Sequence, residues 1–293
     1  MGIIKMTSSK TKKTSTATTA PENISSKIKG IIFDFDGVLS SFHARIGWPI
    51  TSAAIRVKPD ITREQITDMA LSVLTMLSSI DEDSSKTTIL KYIFSVGKKF
   101  GMSNFQTFKY MITLGIIYRK NRKTVVPNIG VREVLREILA QDYKLILLTN
   151  TSQGIIDIAK EKIPEINEFD LILTRDDIKV LKPNAIGLIK AMEVLGLEAD
   201  EVITIGDQAS DIIAGKRAGT MTVAVNDEIM DFAKQLLRNE NPDFIIRDLR
   251  QLPNLLIFLR DCIIEDIRTT IDLTEKPFPE DFNTSEKNSQ PSP

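Results

Sequence analysis

The chain has 293 residues, 42% of them hydrophobic and 26% charged, and a formal net charge of −1, the balance of a soluble globular protein built as one large domain or as a core with an insert. Such a balance offers nothing to nucleic acid or to an anionic membrane. The single cysteine, Cys262, excludes an internal disulfide and a cysteine-rich zinc site and fits a reducing, cytoplasmic setting, with a buried spectator thiol as its expected role.

Residues 1–27, "MGIIKMTSSKTKKTSTATTAPENISSK", are rich in Ser, Thr and Lys and too poor in apolar side chains to offset the entropy of ordering them. A disordered N-terminal tail is expected. It has neither the continuous apolar stretch of a secretory signal nor the arginines of a transit peptide, and Met6 is a second candidate start. The first strand is "IKGIIFDF", Ile28 to Phe35, whose apolar run ends in two carboxylates one residue apart and then a glycine.

No good strand follows until the helical pattern at Val131. The intervening residues read as an inserted helical unit, residues 43–123. It opens with a stretch, Ser40 to Asp60, that shows no clear period. The helix "TREQITDMALSVLTMLSSI" comes next, where Thr62 and Gln65 have capping-box spacing and Ile66, Met69, Val73, Leu74 and Leu77 share one face. Two further helices are predicted over Lys86–Phe100 and Phe105–Lys120. The apolar run "YMITLGIIY" inside the last is about half of the ~20 residues that cross a bilayer. The Met and Phe residues of this unit are expected to form its own small core, and a second copy of the chain could cover an apolar face in a homodimer.

Beyond the insert, strands and helices alternate. The strands are "YKLILLTN" (Tyr143 to Asn150), "FDLILT" (Phe169 to Thr174), "EVITIGD" (Glu201 to Asp207), "MTVAV" (Met221 to Val225) and "DFIIRD" (Asp243 to Asp248). Helical patterns occupy Val131–Gln141, Thr151–Ile163, Asn184–Leu195, Ser210–Ala218, Glu228–Asn239 and Pro253 to about Ile267. Continuous apolar strands alternating with helices predict a parallel sheet buried on both faces. The fold class is therefore α/β: a three-layer α/β/α, Rossmann-like core over residues 28–42 and 124–267 with the helical cap inserted. Residues 275–293 are polar and proline-bearing, and a disordered tail is expected.

In an open sheet of this kind ligands collect at the carboxyl ends of the strands. The polar residues there are Asp34 and Asp36, Thr149 and Asn150, and Asp207, with Asp211 at the start of the next helix and Lys182 in the loop after the third strand. Four carboxylates at one edge repel each other and call for a cation, and an all-oxygen set favours a hard ion such as Mg²⁺. A lysine and a hydroxyl beside them suit an anion bridging to that metal, phosphate above all.

These residues resemble the haloacid dehalogenase superfamily, in its phosphatase branch with a helical cap after the first strand, of the phosphoglycolate phosphatase and beta-phosphoglucomutase kind. "DFDGV" at 34–38, "LLTN" at 147–150, "KP" at 182–183 and "GDQASD" at 206–211 match in order and context, over about Ile28 to Leu259. The resemblance implies that Asp34 attacks phosphorus and that Asp36 serves as acid to the leaving oxygen and then as base for water. It also implies Mg²⁺ held by Asp34, the Asp36 main-chain carbonyl, Asp207 and Asp211, and phosphoryl oxygens held by Thr149, Lys182 and backbone N–H groups near Gly37 and Asn150. The expected substrate is a small phosphorylated metabolite. The chain departs from the family's D-x-D-G-x-L-x-D-S by placing Ser41 and Phe42 in the final two positions, so no particular substrate carries over.

Other readings compete. A calcium loop puts Gly at its sixth place and follows a helix, whereas this one follows a strand with Gly at the fourth. Asp36 separates the chain from the metal-free dehalogenases. A phosphomutase on the same core, a phosphonate hydrolase with a Schiff-base lysine, and a non-catalytic binding or regulatory module are the alternatives. Asp176 and Asp177 read as turn and cap residues. His43, the chain's sole histidine, reads as a residue of the cap hinge, and Arg45, Trp48 and Arg56 stand where cap and core would meet and are suspects for substrate contact.

Overall fold

In the computed structural model, which describes residues 28–69, 72, 86–226, 237–261 and 271–274, the chain is organised by a single sheet. Seven strands follow the order β3-β2-β1-β4-β5-β6-β7, and every pair is parallel. They are β1 Gly30–Phe33, β2 Lys144–Leu148, β3 Leu171–Leu173, β4 Val202–Gly206, β5 Met221–Val225, β6 Phe244–Ile246 and β7 Ile271–Asp272. Six of these are the expected strands. The seventh is a two-residue edge strand past the last predicted helix, too short to leave a periodic signal.

Side-chain alternation along the strands makes two cores. Ile31, Phe33, Leu145, Leu147, Ile203 and Ile205 face one layer of helices, α4 Val131–Leu139, α5 Gln153–Lys162 and α8 Leu252–Asp261. Ile32, Ile146, Leu148 and Val202 face the other, α6 Ile186–Leu195 and α7 Ala209–Ala218. Both faces are dry, which is why these strands are apolar at successive positions. The Phe33 and Phe169 rings pack 5.8 Å apart within the first of these cores.

A third apolar cluster lies wholly within residues 50–117, where Ile50, Ala53, Ala54, Val57, Val96, Phe100, Tyr110 and Ile117 bury one another. It joins α1 Trp48–Val57, α2 Lys86–Lys99 and α3 Asn104–Asn121. Residues 63–69 are also helical, and Thr62 and Gln65 exchange the two hydrogen bonds of a capping box, each 3.1 Å. Helix α3 opens with a second box, Ser103 with Gln106.

Residues 40–60 differ from expectation. Instead of an irregular stretch there is one π-helical turn, His43–Gly47, running directly into α1. Pro49 sits in the first turn of α1, where a missing N–H costs nothing, and Ile50, Ala53, Ala54 and Val57 form a stripe at helical spacing. The predicted tails, Cys262, most of the helix expected over Glu228–Asn239 and much of the one from Thr62 fall outside the described residues. No described helix is long and apolar enough to cross a membrane.

Candidate active site

The site is built from the residues that leave β1, β2 and β4. Strand β1 lies between the other two, with Phe33 level with Leu147 on one side and Ile205 on the other. The next residue, Asp34, keeps its main-chain N–H on the Ile205 carbonyl at 2.9 Å. Its side chain therefore stands at the centre of the sheet's carboxyl edge. There Asp34, Asp207 and Asp211 bring carboxylate oxygens within 4.8 Å of one another.

Among the described residues, Lys182 is the cation bonded to these acids, through Asp34 and Asp211. Lys182 Nζ donates to Asp34 Oδ1 at 2.6 Å and to the Leu148 carbonyl at 3.1 Å, and pairs with Asp211 Oδ1 at 2.5 Å. Burial alone would lower the Lys182 pKa, but the Asp211 and Asp34 charges outweigh it and hold the ammonium above its usual range. The acids move the other way. Burial pushes Asp34 up to about 6, with the Asp211 charge adding to it and Lys182 opposing. Asp207 is raised well above the ordinary carboxylate range by burial and by Asp211 and Asp34.

The carboxylates outnumber the cation, and one oxygen shows it. Asp207 Oδ1 is out of reach of solvent and has no hydrogen-bond partner among the described residues. A buried orphan acceptor is expensive unless an ion satisfies it. The backbone lies close against these acids, since a Cβ on Gly37 would lie 1.8 Å from Asp207 Oδ2 and one on Gly206 would lie 2.1 Å from the Asp211 Cβ, so only glycine admits the carboxylates there. Gly37 also has φ +86°, which other residues rarely adopt. Three convergent carboxylates with an unsatisfied oxygen fit a small hard cation.

Asp36 stands apart from the three. It is buried, yet both of its oxygens are engaged: Arg45 Nε donates to Oδ1 at 3.0 Å, Arg45 Nη2 pairs with Oδ2, and Thr151 Oγ1 donates to Oδ2 at 2.6 Å. Any share of Asp36 in holding an ion falls to its main-chain carbonyl. The turn that carries it is tied by Gly37 N–H to the Ser40 carbonyl at 2.7 Å, and by Asn128 Nδ2 to the carbonyls of Gly37 and Val38 at 2.8 and 3.0 Å.

The remaining expected residues fall around this edge. Thr149 is buried, and its hydroxyl accepts the Thr151 N–H at 3.1 Å. Asn150 is exposed and braces the lysine loop, accepting the Lys182 N–H at 3.1 Å and donating to the Lys182 carbonyl at 3.3 Å. Asp211 also accepts the Gln208 N–H at 3.1 Å and so caps α7. Asp176 and Asp177 are turn and cap acids, bonding the N–H groups of Gln153 and Thr174. Of the four suspects near the hinge, His43, Trp48 and Arg56 are exposed, while Arg45 reaches the site. Thr151 and Asn128 carried no signal in the sequence: a threonine after "TN" and an asparagine before a glycine turn look like ordinary loop residues.

Comparison with known proteins gives the family and the fold. The pyrophosphatase PpaX of Halalkalibacterium halodurans is 35% identical over 147 residues, covering 47% of this chain and 65% of the relative. PpaX of Bacillus cereus is 31% identical over 127 residues, covering 43% and 57%. The chain thus spans less than two thirds of the length of these relatives. Among solved structures, a Haemophilus somnus protein predicted to be a phosphoglycolate phosphatase superposes with a TM-score of 0.56 at 20% identity, over 78% of this chain and 98% of its own. The L-2-haloacid dehalogenase of Xanthobacter autotrophicus gives 0.54 at 17%, over 78% and 98%. At such identities the likeness speaks for the fold alone, and it spans different chemistries. A family model described as haloacid dehalogenase-like hydrolase matches residues 31–225, from β1 through β5 and so across all four acids, and the chain belongs to that family of hydrolases.

Proposed function

We propose that the protein is a Mg²⁺-dependent phosphohydrolase that cleaves small phosphorylated metabolites through an aspartyl-phosphate intermediate. The observation that carries this reading is Asp34: a carboxylate at the head of the central strand, within 2.6 Å of a buried lysine and grouped with Asp207 and Asp211. Asp34 attacks phosphorus, and the bond to the leaving oxygen breaks with its electron pair on that oxygen, which takes a proton from Asp36. Asp36, now a carboxylate, accepts a proton from the water that attacks the aspartyl phosphate, and Asp34 is regenerated. Lys182, Thr149 and the N–H groups near Gly37 and Asn150 hold the phosphoryl oxygens where charge develops. An ion held by Asp34, Asp207, Asp211 and the Asp36 carbonyl supplies Lewis-acid polarisation and offsets the acids' repulsion of an anionic substrate.

The test is hydrolysis of 4-nitrophenyl phosphate and of pyrophosphate by the wild type, Asp34→Asn and Asp36→Asn, each with Mg²⁺ and with EDTA. Activity is expected only with the ion, is expected to vanish in Asp34→Asn, and is expected to fall about 10²–10⁴-fold in Asp36→Asn. Turnover that survives EDTA or the loss of Asp34 would overturn the reading.

A further inference from the structure

Arg45 comes to the site from the inserted helical unit. An arginine on the first turn of an inserted helical unit would ordinarily be solvated, yet this one is 6% exposed. It lies on the π-helical turn His43–Gly47, a geometry that recurs at functional sites. Its Nε and Nη2 engage both oxygens of Asp36, and Nη2 also donates to Thr151 Oγ1 at 2.9 Å. Three of its five N–H donors are thereby used, and the two on Nη1 have no partner among the described residues.

This arrangement conflicts with the role of Asp36. An acid that protonates a leaving oxygen must turn one of its own oxygens toward it, and here both are capped. The guanidinium must therefore release Asp36 during turnover. A buried guanidinium cannot be left unpaired without a large loss, so its release requires a replacement anion. None of Asp34, Asp207 and Asp211 bonds to Arg45 among the described residues, and Asp34 and Asp211 are held by Lys182. A buried guanidinium held on an acid that must be uncovered forms a receptor for an incoming anion, and its planar fork suits a carboxylate or phosphate.

We propose that Arg45 is a substrate-recognition residue that exchanges Asp36 for a second anionic group carried by the substrate beside its leaving oxygen. The enzyme then selects small phosphate compounds whose leaving group is itself a phosphate or a carboxylate. A neutral leaving group offers Arg45 no partner and leaves Asp36 covered. This inference rests on the phosphohydrolase reading above for the role of Asp36, but the exchange of ion pairs can be tested without chemistry.

Two measurements test it. In the first, kcat/KM for pyrophosphate, phosphoglycolate and 4-nitrophenyl phosphate is compared among the wild type, Arg45→Gln and Arg45→Lys, with thermal melts to establish folding. The wild type is expected to prefer pyrophosphate or phosphoglycolate, and which of the two distinguishes a phosphate from a carboxylate partner. Arg45→Gln is expected to reduce that preference at least about tenfold, mainly through KM, and Arg45→Lys to restore part of it, since an ammonium supplies charge without the fork. Equal losses on all three substrates in folded variants would make Arg45 a structural tie and overturn the proposal. In the second, pyrophosphate and inorganic phosphate are titrated into Asp34→Asn and into Asp34→Asn/Arg45→Gln. Pyrophosphate is expected to bind the single variant at least about tenfold more tightly than the double one, and inorganic phosphate to bind both alike. Equal pyrophosphate binding would overturn the exchange, whereas intact binding by a wild type that turns nothing over would overturn only the phosphohydrolase reading.

Discussion

Gly37 shows how closely residue identity is set around the acids. Its φ of +86° costs any L side chain about 1–2 kcal/mol, and a Cβ there would press on the Asp207 carboxylate. Gly37→Ala is therefore expected to lower stability by about 3 kcal/mol, strain and overlap combined, and to abolish activity, both read from denaturant melts and a hydrolysis assay. The acids themselves set a pH dependence. In the metal-free protein Asp34 titrates near 6, against 3.8 ordinarily, because its charged form is buried. Between those values the native state holds a proton that the unfolded chain has released, so stability falls as pH rises from about 4 to about 6 and then levels off. Asp207, shifted in the same direction, adds to the decline. Mg²⁺ binds the deprotonated set, so the rise in Tm that it produces is expected to be larger at pH 7 than at pH 5. An equal rise at both values would show that the ion binds elsewhere.

At the level of elements, legibility tracked whether a segment's job was periodic. The sheet strands could be read because burial on both faces makes them apolar at every position, and Asp34, Asp207 and Lys182 could be placed because strand ends and short loops fix where they emerge. Helix α1 was missed although Ile50, Ala53, Ala54 and Val57 mark it, since the π-turn that runs into it has no sequence period. Arg45, Thr151 and Asn128 join the site through contacts across the chain, Arg45 Nη2 and Thr151 Oγ1 meeting across 106 residues, and no local pattern encodes those. The helical unit contains one misfit of its own. Tyr110 on α3 is fully buried and its hydroxyl has no partner among the described residues, which is an unreturned desolvation cost. Tyr110→Phe is expected to raise stability by about 1 kcal/mol without changing turnover, as chemical denaturation would show; a loss of stability would reveal a partner for that hydroxyl.

Across the whole molecule, four apolar clusters of described residues divide the work: three line the sheet, and one closes residues 50–117 on themselves. The acidic edge belongs to the sheet, while the helical unit sends Arg45 to it, so the insert can change what meets that edge with the sheet untouched. The position of β1 has another consequence, in time. Its pairing partners lie far along the chain, Lys29 and Glu201 being 172 residues apart though bonded at 2.5 Å. A ribosome adding ~5–20 residues per second needs on the order of ten seconds or more to deliver β4 after β1. Throughout that interval a fully buried strand of the sheet has an open edge, a template for wrong pairing. A chain ended at residue 200 is expected to be insoluble, whereas one ended at residue 261, which lacks only β7 of the sheet, is expected to stay in solution in a fractionation assay. The strand that leads into Asp34 is made first and completed late, so the nascent protein depends on whatever shields that edge until β4 emerges.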